Sequence, residues 1–314
     1  MPIKCAFLFP GQGSQAFGMG QDFFSNSDVA KQMISDASSR TGIDFENLLF
    51  TQNDKLGQTE YTQPAILLVS AVAHKLFENA MPIKPAYALG HSLGEFSALV
   101  SVGALDFMDA VELVNLRGKL MAEACSKQEV GMLVSLGLAD EAVEKVCEVE
   151  RAKGKQVWAV NYNADGQIVI AGIKKDLEEL VLVLKNAKAK RAMLLDMSVA
   201  SHCPLLESAT VALEAKLKEV LRDEFTAPVI SNVTAKAYNS KDEALDLLPK
   251  QLVEPVLYKH SIAKIDDNVD CYIEFGHGSV LKGLNRKTTS RPHFNVNDMV
   301  SLEATIEAIR ELNA

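Results

Sequence analysis

Short apolar runs and longer stretches of helical spacing alternate along most of the 314 residues. Lys4 to Phe9 is an almost unbroken apolar run of strand length, which predicts a buried strand. It ends in Pro10-Gly11-Gln12-Gly13-Ser14-Gln15, where two glycines beside a proline predict a loop whose backbone can approach a ligand closely. Asp28 to Ser39 and Pro64 to Asn79 read as helices. In the second, Ala65, Leu68, Val69, Val72 and Leu76 form an apolar stripe, with Pro64 at its start. Ala86 to Leu89 is a second short strand, and Glu95 to Val102 a helix that stops at Gly103. Asp106 opens a further helix over Asp109 to Cys125.

From about Val130 the pattern changes. Met132 to Leu138 reads as a strand, Ala139 to Ala152 as a helix, and Val157 to Tyr162 as a strand. A turn at Asn163-Ala164-Asp165-Gly166 precedes the strand Gln167 to Ile173. Asp176 to Ala187 is a helix and Arg191 to Met197 a strand. The order βαββαβ is that of a ferredoxin-like unit. It predicts a compact subdomain at 129–197 inserted into a larger α/β body formed by 1–128 and 198–314. In the returning chain, about Leu205 to Leu221 is a helix, Pro228 to Val233 a strand, and Gln251 to Val256 a helix-breaking loop. Cys271 to Phe275 is a strand that runs into Gly276-His277-Gly278-Ser279 and the helix Val280 to Arg286. Met299-Val300 reads as a last strand and Leu302 to Leu312 as a terminal amphipathic helix.

The most chemically suggestive stretch is Gly90-His91-Ser92-Leu93-Gly94, between a predicted strand and a predicted helix. A serine at such a turn, flanked by glycines, projects its hydroxyl into a cleft beside the free N–H groups of the helix. The plain alternative is a strand-to-helix turn with a serine cap. A serine nucleophile needs a base, most often histidine. Of six histidines, His74 reads as a packing residue and His91 as pointing away from Ser92. His260 and His293 fall in polar loops. His202, at the return from the insert, ranks first and His277, between two glycines, second. Arg117 lies in the same helical stripe as Ala110, Val114, Met121 and Cys125. An arginine on an apolar face implies a buried partner, or a fixed cation for a carboxylate ligand.

Composition narrows the class. Hydrophobic residues are 48% and charged residues 23% of the chain, a balance that supports a real core. The net charge of −9 and a pI near 5.3 argue against nucleic acid as a partner. Five dispersed cysteines without a Cys-x-x-Cys pair fit reduced thiols in a cytoplasm and speak against a zinc site. No apolar stretch reaches the length of a signal peptide or a membrane span, so a membrane partner is not expected.

Together these residues resemble the malonyl-CoA:acyl-carrier-protein transacylases of bacterial fatty-acid synthesis. Phe9-Pro10-Gly11-Gln12-Gly13-Ser14-Gln15 matches the family's opening motif and Gly90-His91-Ser92-Leu93-Gly94-Glu95 its nucleophile motif. Arg117, Asn161-Tyr162-Asn163, Gly166 to Gly172 and Ser201-His202-Cys203 follow in the family's order, so the likeness spans essentially the whole chain. The resemblance implies a large α/β-hydrolase-like subdomain carrying the small ferredoxin-like one. It implies Ser92 as nucleophile, His202 as base, and the backbone N–H groups of Gln12 and Leu93 as an oxyanion hole. Arg117 would hold the malonyl carboxylate, the Gln251 carbonyl would orient His202, and Gln63 would line the pocket. The partners implied are malonyl-CoA and the phosphopantetheine arm of acyl carrier protein. The protein would act as a monomer, and the chemistry calls for no metal or redox cofactor.

The chain departs from the family pattern at Gly276-His277-Gly278-Ser279 and at Glu254, both expected near the mouth of the site. For docking an acidic carrier, Lys188, Lys190 and Arg191 on the insert and Lys282, Arg286 and Lys287 on the body are the candidate cations. Three other readings compete: a polyketide-synthase acyltransferase, a serine hydrolase, and a non-catalytic carrier-binding scaffold. A hydrolase would need an acid partner before its histidine and leaves Arg117 without a role.

Overall fold

Five consecutive apolar residues, buried on both faces, place β1 (Cys5–Phe9) in the interior of a sheet. The computed structural model describes residues 3–313. After β1 come α1 (Gln21–Asn26), α2 (Asp28–Thr41), α3 (Phe45–Phe50) and α4 (Thr59–Ala80), then β2 (Tyr87–Gly90), α5 (Gly94–Ser101) and α6 (Phe107–Cys125). The middle of the chain forms β3 (Val130–Leu136), α7 (Asp140–Ala152), β4 (Val157–Ala164), β5 (Gln167–Ile173), α8 (Lys174–Asn186) and β6 (Arg191–Leu194). The remainder forms α9 (Glu207–Val220), β7 (Val229–Ile230), β8 (Ala237–Tyr238), α10 (Lys241–Lys250), α11 (Tyr258–Ile265), β9 (Cys271–Phe275), α12 (Val280–Asn285), β10 (His293–Val296) and α13 (Met299–Leu312).

Two sheets result. The larger has the order β10-β9-β1-β2-β7-β8 and is parallel except for the final β7–β8 pair. The smaller, β4-β5-β3-β6, is antiparallel throughout. The protein is therefore mixed α/β, with a mainly parallel sheet and a separate antiparallel one. Helices α7 and α8 bury Val143, Cys147, Leu177, Leu180 and Leu184 against the smaller sheet. The sheets are tied together where Val256 joins the edge of β4: Tyr162 N–H donates to Val256 O (2.9 Å) and Val256 N–H to Val160 O (2.8 Å). That junction closes an open strand edge and brings the preceding turn, with Gln251, over the end of β2. Among the described residues no helix is long and apolar enough to cross a membrane.

Helices α4 and α6 pack closely because α6 carries Gly118. A Cβ there would lie 2.6 Å from Glu60 Cα and 2.7 Å from Thr59 O. Pro64 is not at the start of α4, as the sequence predicts, but inside it. Its missing N–H releases the Glu60 carbonyl, and Asn115 Nδ2 of α6 donates to that oxygen at 2.7 Å. The predicted last strand at Met299-Val300 is also displaced. Asp298 and Ser301 form a capping box that makes Met299 the first residue of α13, and the strand lies earlier, at β10. His293 and His260 are consequently not in loops. His293 sits on β10 with its side chain largely buried, 3.5 Å from the buried Glu274, and His260 lies half-exposed on α11.

Candidate active site

The site forms where β1 and β2 end. They are parallel neighbours with Phe9 opposite Gly90, so the loops after them emerge side by side. Contact there leaves no room for side chains. A Cβ on Gly11 would lie 2.2 Å from His91 O, and one on Gly94 would lie 2.0 Å from Phe9 O. Gly90 is equally enclosed, with Gly94 backbone atoms 2.0–2.5 Å from a built Cβ. Between the two glycines Ser92 adopts a left-handed conformation, φ 53°. Asn232 fastens this turn from the strand side: Ser92 N–H donates to its Oδ1 and its Nδ2 donates to Gly90 O, both at 2.7 Å.

Of the two histidines open from the sequence, His202 is at Ser92. Its Nε2 lies 2.8 Å from Ser92 Oγ, and its Nδ1 lies 2.5 Å from the Gln251 carbonyl. A carbonyl can only accept, so Nδ1 carries the proton and Nε2 is free to accept one from the serine. Burial and the nearby Arg117 charge hold His202 down to about 3, so it is neutral at ordinary pH. Like Ser92 it has positive φ, 63°. His91 points away, with Nε2 2.7 Å from Asn163 Oδ1, and burial lowers its pKa. His277 does not line the cleft.

Arg117 reaches Ser92 from α6 and is 1% exposed. Its Nη1 donates to Gln63 Oε1 (2.8 Å), and its Nη2 donates to Gln251 Oε1 (3.0 Å) and Ser92 Oγ (3.3 Å). The Phe96 ring lies 5.3 Å from the guanidinium carbon, and the Nε–H has no partner among the described residues. Burial lowers its pKa to about 10, opposed by Glu95, so it stays charged. Gln63 is held in turn by Met121 Sδ, 3.3 Å from its Nε2. The close α4–α6 approach at Gly118 is what brings Gln63 to Arg117.

A cleft of about 650 Å³ opens over these groups, lined among others by Gln12, Leu93, Met132, Asn161, Asn163 and Ser201. Neither the Gln12 nor the Leu93 backbone N–H is taken by an acceptor among the described residues, whereas that of Ser92 is occupied by Asn232. Two free donors lining the same cleft as the serine are suited to a developing oxyanion. Glu254 and the loop 276–279 lie outside the cleft lining. Among the described residues no three His, Cys, Asp or Glu side chains cluster as metal ligands.

Three further residues around the site carried no assignment from sequence. Glu95, Asn232 and Tyr238 are buried and joined: Glu95 accepts from Asn232 N–H (3.1 Å), Gln251 Nε2 (2.7 Å) and Tyr238 Oη (3.0 Å). Burial raises the Glu95 carboxyl to about 7 against these donors and Arg117. The available signal was Glu95 as the one charged residue of α5, comparable to Arg117 in its apolar stripe.

Comparison with known proteins shows what the chain is similar to. Residues 6–309 match the acyl transferase domain. The chain is 40% identical over 286 residues to the malonyl CoA-acyl carrier protein transacylase of Escherichia coli strain K12, covering 90% of this chain and 92% of that one. It is similar to the crystal structure of malonyl-CoA:acyl carrier protein transacylase from Helicobacter pylori, with a TM-score of 0.95, 43% identity and 98% and 99% of the two chains covered. It is also similar to a malonyl-transacylase solved with its type II polyketide-synthase acyl-carrier protein, with a TM-score of 0.93, 37% identity and 97% and 99% coverage. On these relatives, and with a serine turn, a histidine and a buried arginine in one cleft, the chain belongs to the malonyl-CoA:acyl-carrier-protein transacylase family.

Proposed function

We propose that the protein transfers the malonyl group of malonyl-CoA to the phosphopantetheine thiol of acyl carrier protein, supplying malonyl units for fatty-acid elongation. The observation that carries this reading is the buried Arg117 guanidinium 3.3 Å from Ser92 Oγ. A fixed cation at that distance supports the reading because it can hold the free carboxylate of a malonyl group when the thioester reaches the serine. Ser92 Oγ attacks the thioester carbonyl while His202 Nε2 takes its proton. The Gln12 and Leu93 N–H groups hold the oxyanion, each worth about 3 kcal/mol in comparable sites. The tetrahedral intermediate collapses, His202 protonates the departing CoA thiolate, and a malonyl-serine ester remains. The carrier thiol then gives its proton to His202, attacks the ester, and releases Ser92. Gln251 O, accepting from Nδ1, stands where a hydrolase triad has a carboxylate.

The same reading takes 129–197 as a ferredoxin-like subdomain inserted in an α/β-hydrolase-like body of 1–128 and 198–314. It takes Lys188, Lys190, Arg191, Arg286 and Lys287, all exposed, and the half-buried Lys282 as the cations facing an acidic carrier. The protein acts as a cytoplasmic monomer without nucleic-acid or membrane partners, and its five unpaired buried cysteines suit a reducing compartment. The test is to mix the protein with malonyl-CoA and holo acyl carrier protein and follow the malonyl group. Malonyl-carrier is the expected product. Rapid release of free malonate without carrier acylation would instead indicate the hydrolase.

A further inference from the structure

Glu95 is 1% exposed and lies off the cleft, touching neither Ser92 Oγ, His202 nor Arg117 directly. A buried carboxylate is costly to desolvate, and an apolar residue of similar volume often serves stability as well or better. Its use is therefore sought in what it holds, and it holds two arms. The first is Gln251. The side-chain Nε2 of Gln251 donates to Glu95 Oε2 (2.7 Å) and to Ser92 O (3.1 Å), and its Oε1 accepts from Arg117 Nη2 (3.0 Å). Reversing that amide would set donor against donor at Arg117 and acceptor against acceptor at Glu95, so the carboxylate fixes its orientation. The backbone carbonyl of the same residue accepts from His202 Nδ1. The second arm is Asn232, whose N–H is held by Glu95 Oε2 and whose side chain clamps Ser92 N–H and Gly90 O.

We propose that Glu95 is a positioning residue for acyl transfer, holding Arg117, His202 and the Ser92 turn in one frame through Gln251 and Asn232. This rests on the transferase reading above. The role is one of hydrogen-bond acceptance more than charge. A glutamine at 95 can keep its oxygen toward Asn232 and Gln251 and donate its amide to Tyr238 Oη, which now donates to Glu95 and can equally accept. The other groups facing the carboxylate, Arg117 from α6 and Tyr238 from β8, leave that exchange possible.

The experiment compares wild type, E95A and E95Q by rapid-quench intact mass with malonyl-CoA and, separately, acetyl-CoA, after circular dichroism has established folding. Displacement of catalytic groups by about an ångström costs up to roughly 100-fold, so E95A is expected to slow malonylation about 10- to 100-fold. It should also lower the malonyl-to-acetyl rate ratio, because Arg117 loses its fixed partner. E95Q should recover most of both. Should E95A not fold, E95M fills the volume without an acceptor and carries the same expectation. Q251A, which keeps the carbonyl but removes the amide, must likewise lower the ratio. Wild-type rates in E95A or E95M, or equal losses for both acyl groups with no recovery in E95Q, would overturn the role of Glu95. So would an unchanged ratio in Q251A. A wild-type protein that takes no malonyl adduct refutes the transferase reading instead, whatever Glu95 does.

Discussion

Arg117 Nη2 and Ser92 Oγ stand 3.3 Å apart, so in the proposed mechanism the cation that reads the acyl group touches the atom that attacks it. Recognition and chemistry are therefore coupled: an acyl group without a carboxylate leaves a desolvated guanidinium unmatched at the reacting centre. Arg117→Ala is expected to slow malonyl transfer by about 1.5–3 kcal/mol more than acetyl transfer, roughly 10- to 150-fold. Paired rate measurements with the two thioesters check this, and an equal loss for both would remove Arg117 from substrate recognition.

His202 makes a prediction about pH. Its value is held down to about 3 by burial and by Arg117. A lowered histidine pKa means that the neutral form, the one able to accept the Ser92 proton, persists well below the ordinary value. In Glu95→Gln, which removes the carboxyl raised to about 7, the kcat/KM for malonyl-CoA should stay level from about pH 7.5 to about pH 5.5. A decline centred near pH 6.5, the usual histidine value, would contradict this electrostatic picture.

How much of this could be read from the chain depends on the range of the forces involved. Strands β1, β2 and β9, the stripe of α4 and the βαββαβ order are written in local periodicity, and they stand near their predicted positions. Helices α1, α3, α10 and α11 have 6 to 10 residues each, too short for a stripe to declare itself. Pro64 misled because its helix is completed by Asn115, a partner from another helix. Ser92, His202 and Arg117 were visible as residue types that need partners. Glu95 was visible only as a charged residue of that kind, and Asn232 and Tyr238 not at all, because their meaning arises only when β7, β8 and the turn at Gln251 close around α5.

The left-handed conformations of Ser92 and His202, φ 53° and 63°, store strain at the two groups that carry the proposed reaction. Side chains with a Cβ pay about 1–2 kcal/mol for that region, and glycine does not. Ser92→Gly should therefore be about 1 kcal/mol more stable than Ser92→Ala, although both lack the nucleophile. Urea unfolding of the two variants measures the difference, and a more stable alanine variant would show that the turn is unstrained.

Acid stability should depend on His74, which is packed edge-on against Phe7 and Phe275. Burial lowers its pKa from 6.5 to about 4. Above the unfolded value the residue is neutral in both states and contributes nothing. As pH falls from there through the folded value only the unfolded chain takes the proton, and stability is lost, about 3 kcal/mol in all. His74→Leu should lose about 2–3 kcal/mol less than wild type between roughly pH 7 and pH 4.5. Unfolding curves at the two pH values that give the same loss of stability for both proteins would assign the acid sensitivity elsewhere.

The most direct measurement is the intact mass of the protein after brief mixing with malonyl-CoA in the absence of carrier. One malonyl adduct is expected on the wild-type chain, none on Ser92→Ala, and loss of the adduct when holo acyl carrier protein is added. An adduct that persists in Ser92→Ala, or a wild-type chain that acquires none, would contradict a malonyl-serine intermediate at this turn.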